Sequence, residues 1–381
     1  MSSKHSKTGS YKLCSLLSGH KGPVACLSLH PDGRFIASGG YHGTMIWLLS
    51  NCKPVLRPTG AGTRGATTAI SWISSSNTAI VFGTSEGWLC IWKLEADGRS
   101  FREIKCIRLE GRLGRDEIIS IAFDPTSKLM AVAHRAEKLH LFQLDENLVP
   151  ECKFSRNVKG HWPQVVTFGV SGRTIWSFGQ EDGEIYVLDL TGGIKSITTR
   201  GMVIGGAAVD VDNDLICLDD PSQGVVITKM SGDEVIRTFP VPATQRKTRN
   251  VAFLDKGCAV ASGSDHGIVY IFNCQSGKEL DVLCGGEGWL QSICTAEIEG
   301  STVIAAGQSG EHIEAADITL WTKKKQSRIM VYFRITSDMA HLGLMVLGLL
   351  FILEKIGIKF ILFATGMVTL LLFSGKVKAV F

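Results

Sequence analysis

From Val24 onward the chain alternates apolar and polar positions in short runs, each closed by a turn-forming cluster. Apolar positions at Val24, Cys26 and Leu29 lead to Pro31-Asp32-Gly33, those at Phe35, Ile36 and Ala37 lead to Tyr41-His42-Gly43, and a third run ends at Met45-Ile46-Trp47. A period of two puts one face of a segment inside and the other outside. Pro-Asp-Gly and Gly-rich clusters then break the run, so the pattern predicts short antiparallel strands joined by tight turns.

The unit recurs along most of the chain. A second copy runs from Thr68 to Trp92, a third from Ile118 to Phe142, a fourth from Gly160 to Leu188, a weak fifth from Ala207 to about residue 229, a sixth from Asn250 to Phe272, and a last from Trp289 to Trp321. The closing positions fall at 47, 92, 142, 188, about 229, 272 and 321, a spacing of roughly 41 to 50 residues. With its early Gly19-His20, Ser38 in the second strand and closing Trp47, the unit resembles a WD40 repeat. The resemblance covers residues 11–322 and implies an all-β fold, a seven-bladed WD40-type β-propeller. It makes His20, Ser38, Trp47, Trp92, Phe142, His161, Phe272 and Trp321 structural repeat positions. His42 stands where an Asp is usual, and Gly-His pairs survive at 19–20 and 160–161. The last copy has no outer strand of its own. Residues 11–17 (YKLCSLL), just ahead of the first Gly-His, are expected to supply it and to close the ring, behind a flexible N-terminus at 1–10.

After Trp321 the character changes. Residues 323–338 are expected to be a basic linker beside a membrane. They precede two apolar runs, 339–353 (MAHLGLMVLGLLFIL) and 360–373 (FILFATGMVTLLLF). Both runs are apolar all round, which suits lipid better than a protein surface. Residues 339–375 are therefore expected to be inserted as helix, through positions such as Leu342, Leu349, Phe360 and Leu370, with a short basic tail at 376–381. Each run is shorter than the ~20 residues of a full span. A hairpin and a single span from Ile356 to Phe373 are both open, and the Lys/Arg cluster before the first run is expected to stay cytosolic.

Charge sharpens this division. The chain of 381 residues has a formal charge of +4, but residues 323–381 hold nine Lys/Arg against Asp338 and Glu354, leaving 31 basic and 34 acidic residues before them. A nearly neutral body argues against a nucleic-acid groove. Eleven cysteines are scattered singly, as at Cys26, Cys90, Cys217, Cys258 and Cys294. With no C-x-x-C pair, they are expected to be buried, reduced thiols. The opening MSSKHSKTGSYK has no apolar core of signal-peptide type, so the body is expected not to be secreted.

Motifs for catalysis and cofactors are missing: there is no Walker loop, G-x-G-x-x-G, H-E-x-x-H or G-x-S-x-G. The ten histidines lack partners at metal-ligand spacing, and Asp210-x-Asp212-x-Asp214 lacks the Gly and distant Glu of an EF-hand. A non-enzyme without cofactor or metal is expected. Its partners would be proteins or peptides, met on the face that carries the turns between second and third strands and the loops leading into each blade. Tyr41, Arg135, Glu181 and Asp265 lie at those turns, and Arg64, Trp162 and Trp289 in those loops. Trp, Tyr and Arg are the residue types that dominate interface energetics.

The expected function is a membrane-tethered interaction scaffold, its propeller facing the cytosol from the ER or another endomembrane. Propeller followed by apolar tail is also similar to the family of ER-anchored exchange factors that load a small GTPase. That family uses an elongated Gly-rich loop in its first blade, where this chain has the compact GGYHG. A soluble assembly subunit is the third alternative.

Overall fold

Residues 10–324 are described by a computed structural model, except 59–63, 75–77, 111–115, 136, 233 and 311–312. The expected flexible start at 1–9, most of the basic linker, the apolar segment carrying Leu342, Leu349, Phe360 and Leu370, and the final 376–381 lie outside the described residues. Among the described residues no helix is long and apolar enough to cross a membrane.

The alternating runs form seven four-stranded antiparallel sheets, each built from consecutive strands with one exception. Blade 1 comprises Val24–Leu29, Phe35–Gly40, Gly43–Leu48 and the short Lys53–Pro54. Blade 2 follows with Thr67–Ser74, Thr78–Thr84, Trp88–Leu94 and Phe101–Arg108. Blades 3 to 6 begin at Ile118–Asp124, Pro163–Phe168, Gly206–Asp210 and Val251–Leu254. The repeat that was weak in sequence is thus a full blade.

The exception is blade 7. Its first three strands are Ser292–Ile298, Ser301–Gly307 and Ala316–Lys324, and its outer strand is Lys12–His20, from the other end of the chain. The pairing is antiparallel from Lys12 opposite Thr322 to His20 opposite Ala316. Tyr11 and Leu17 are buried against it. The seam to blade 1 is completed by Val24 N–H donating to the Gln308 carbonyl at 2.8 Å and Ser309 Oγ donating to the Val24 carbonyl at 2.7 Å. No blade edge is left open at the seam, which answers the aggregation hazard of an unpaired strand.

Burial follows position within the blade. Second strands such as Phe35–Gly40 and Leu129–His134 are buried at every residue, because neighbouring blades cover both faces of the sheet there. Outer strands such as Ile194–Thr199 are mostly exposed. The blades approach closely enough that a Cβ on Gly83 would meet Ile118 Cγ2 of the next blade at 2.3 Å. First strands of all seven blades line a central cavity of about 340 Å3, with Cys26, Ala69, Ile121, Val165, Ala207, Val251 and Ile293 facing it.

The cysteines depart from expectation. Cys90 and Cys106, directly opposite each other on the third and fourth strands of blade 2, form a disulfide, so not all of the thiols are single and reduced. Cys258 is exposed rather than buried, whereas Cys217 is buried. The sequence pattern missed the pair because a register sixteen residues apart leaves no C-x-x-C signature. The Asp210–Asp214 series serves a turn: Asp210 accepts from Asn213 N–H, and Asp214, with φ 57°, accepts from Ser231 N–H.

Candidate protein-binding face

In an antiparallel blade, the turn between the second and third strands and the loop to the next blade emerge at the same end. Seven blades therefore present these segments on one face of the ring. The repeat positions that hold the turns in place are buried. His161 bridges the two segments of blade 4, with Nδ1 paired to Asp182 Oδ2 at 2.6 Å and Nε2 to Ser177 Oγ at 2.8 Å. Glu184 lies within ligand distance of the same two groups, but His161 and Asp182 are already committed to each other in the turn.

In blade 1 the set is incomplete. His20 Nε2 pairs with Ser38 Oγ, but His42 offers no carboxylate, and Trp47 Nε1 is buried without a partner among the described residues. Burial, together with the charges of Arg57 and His42, pushes the His20 imidazole down to about 4. Trp92, Phe142, Phe272 and Trp321 are buried between or within blades. Trp92 Nε1 also donates to Glu103 at 3.3 Å.

The seven candidate contact residues divide by what they touch. Tyr41 is 74% exposed at the tip of its hairpin, edge-on to His42 at 5.2 Å. Arg64, half-buried, grips Glu103 with both guanidinium nitrogens, NH1 to Oε2 at 2.5 Å and NH2 to Oε1 at 3.0 Å. It also donates to Cys90 Sγ at 3.3 Å and lies over the Trp88 ring at 5.6 Å. Hydrogen bonding to Glu103 holds Arg64 above its ordinary value and Glu103 below its own. Arg135 pairs with Glu117 at the central cavity, and Glu181, exposed, adds to the negative potential around it. Trp162 is half-buried in the loop into blade 4, its N–H directed at Asp182.

Two of the seven hold the fold together. Asp265 is 9% exposed and accepts from Thr244 N–H, Thr244 Oγ1 and Gln245 N–H. Burial works against its charge, yet the His266 ring and these N–H groups bring its carboxyl down to about 2. Trp289 donates Nε1–H to the Thr248 carbonyl at 2.9 Å, with Lys247 Nζ 4.9 Å above its ring, and so ties adjoining loops together.

Tyr41 and Arg64 come together away from the central cavity. They line a cleft of about 490 Å3 between blades 1 and 2, together with Thr44, Arg57, Thr67, Thr84, Ser85 and Glu86, over Phe82 and Trp92. Sequence reasoning missed Arg57, which lies outside any repeat position, and Glu117, the partner of Arg135. It also missed the buried Asp219–Arg249 pair, where Arg249 Nε donates to Asp219 Oδ1 at 2.8 Å and Arg249 N–H to Oδ2 at 2.8 Å. Burial pushes that carboxyl up to about 6 against the pull of Arg249.

Residues 11–47 match the WD40 family model, described as WD domain, G-beta repeat. No curated protein matches the chain.

Proposed function

We infer that this chain, a seven-bladed propeller carrying a WD40 repeat, is an interaction scaffold that meets a protein or peptide on the face of its second-to-third-strand turns. WD40 propellers generally serve as such scaffolds. The observation that carries the reading is Tyr41, an aromatic ring 74% exposed at the rim of a 490 Å3 cleft, where folding needs no large side chain. We propose further that residues 339–375 insert into an endomembrane and that the Lys/Arg cluster before them keeps the propeller cytosolic. The support is the sequence itself: two apolar runs preceded by five basic residues between 323 and 334. The exchange-factor reading needs an elongated loop in blade 1, but Phe35–Gly40 and Gly43–Leu48 are joined by two residues, which favours the scaffold.

Both halves are testable. Tyr41→Ala, Arg135→Ala and Trp162→Ala are each expected to keep the wild-type Tm within a few degrees, and at least one should lose proteins that co-purify with the wild type. If all three retain every partner, or losses always track unfolding, this face is not the binding site. For the tether, full-length protein should resist alkaline carbonate extraction, whereas a chain ending at Lys325 should not. Release of the full-length chain would refute insertion.

A further inference from the structure

We propose that the cleft between blades 1 and 2 receives an acidic side chain of a peptide partner, a carboxylate or a phosphorylated hydroxyl, against Arg57, with Tyr41 packing on the adjoining peptide residues. The proposal rests on the scaffold reading and names the chemistry that this face selects.

Arg57 is the reason for an anion. Other arginines of the ring are matched: Arg64 in the same cleft to Glu103, and elsewhere Arg135 to Glu117 and Arg249 to Asp219. Arg57 pairs with no carboxylate among the described residues. One guanidinium nitrogen, NH1, donates to the His42 carbonyl at 3.2 Å, which turns the group toward the hairpin, and its other N–H donors have no partner among the described residues. Burial lowers its affinity for its proton, the mark of a cation partly stripped of water without a counter-charge in return. A planar guanidinium with free parallel donors binds carboxylate and phosphate oxygens in a bidentate manner.

The rest of the lining supplies hydroxyls. Thr84 Oγ1 accepts from the N–H groups of Glu86 and Trp88, and Ser85 Oγ accepts from Ala66 N–H. Neither hydroxyl donates to another group among the described residues, so both hydrogens remain for an acceptor in the cleft. Tyr41, 74% exposed, gives apolar surface in its lining. Among the described residues Glu86 is the one carboxylate of the lining and disfavours a polyanion, so the geometry suits a single acid in an apolar or mixed peptide rather than a nucleic acid. The chain's own residues 323–381 carry nine basic groups against two acidic ones and do not complement Arg57.

The test uses full-length protein in detergent micelles and fluorescent positional-scanning peptide libraries whose fixed position is Glu, phosphoserine, Ser or Lys. Binding is read by anisotropy at low and physiological salt. The expected result is selection of Glu or phosphoserine over Ser and Lys, and which acid wins identifies the source of the charge. Arg57→Gln should weaken the selected pool about tenfold at unchanged Tm, and Arg57→Lys should restore part of the loss. Tyr41→Ala should weaken all pools, and Glu86→Gln should tighten the acidic ones. If peptides bind in a Tyr41-dependent way with no preference for an acid, or if Arg57→Gln binds like the wild type, the cleft is not an acid receptor, although the scaffold reading stands. If no pool binds and Tyr41→Ala changes nothing, both readings fall.

Discussion

Three histidines carry a pH dependence that can be worked out residue by residue. Burial pushes His20 and His134 down to about 4 and His140 down to about 3, the last two with rings 5.0 Å apart. An unfolded histidine titrates near 6.5. Between that value and the folded one the unfolded chain binds more protons, so stability falls as the pH drops through this window and is restored above it. At pH 5 the loss is about 2 kcal/mol for each histidine. Asp219 works the other way, because its carboxyl, raised to about 6, takes a proton in the folded state before the unfolded one does. His140, stacked on Phe142 at 5.8 Å, is the cleanest to replace. His140→Phe should flatten the dependence of Tm on pH between 6.5 and 4.5 while changing Tm at pH 8 far less. An unchanged slope would mean that this imidazole titrates normally in the fold. His20 and His161 were legible in sequence because a Gly-His pair has a fixed place in the repeat. His134, His140 and Arg249 were not, since their burial depends on partners in other segments, as Arg249 depends on Asp219 thirty residues earlier.

At the scale of strands, the period-two pattern located most of the sheets but not how deeply each is buried. The alternation Phe35–Gly40 shows in sequence becomes burial on both faces once a neighbouring blade covers the outer side. Register was the other hidden quantity. Cys90 on Trp88–Leu94 and Cys106 on Phe101–Arg108 meet only because Leu89 pairs with Ile107 and Ile91 with Lys105 on either side of them. A register shift between Ile91 and Trp92 then sets Glu103 opposite Trp92, where Arg64 reaches it. Closing a loop of this length removes about 3 kcal/mol of unfolded-chain entropy. Peptide mapping without reductant should recover the 90–106 bridge, and dithiothreitol should lower Tm, with the Cys90→Ser variant insensitive to it. Equal melting of the wild type with and without reductant, with the bridge present in the map, would show that the bond adds nothing to stability.

For the ring as a whole, the decisive feature is that its last blade borrows a strand from the start of the chain. Seven repeats were countable from the closing positions, and the strand missing from the seventh was the clue that residues 11–17 fill it. The observed strand runs three residues further, to His20, because His20 pairs with Ala316 before turning into its bond with Ser38. Removing residues 1–17 strips blade 7 of Leu17, 1% exposed, and of Tyr11, 6% exposed, and opens the edge of Ala316–Lys324. Loss of two such side chains is worth about 3–6 kcal/mol. In a cooperative ring this acts on all seven blades together, so Tm should fall by roughly 5–15 °C. A chain beginning at Ser10 keeps every one of these contacts and should melt with the wild type. The mechanism, and not just the length removed, is checked by adding a peptide of residues 10–20 to the shortened protein. An open strand edge accepts a matching strand through main-chain hydrogen bonds, so the peptide should restore most of the lost Tm, and a version with Leu17→Asp should not. Recovery by both peptides would point to nonspecific stabilisation, and recovery by neither, with an unchanged Tm for the truncated chain, would mean that the ring closes without its N-terminal strand.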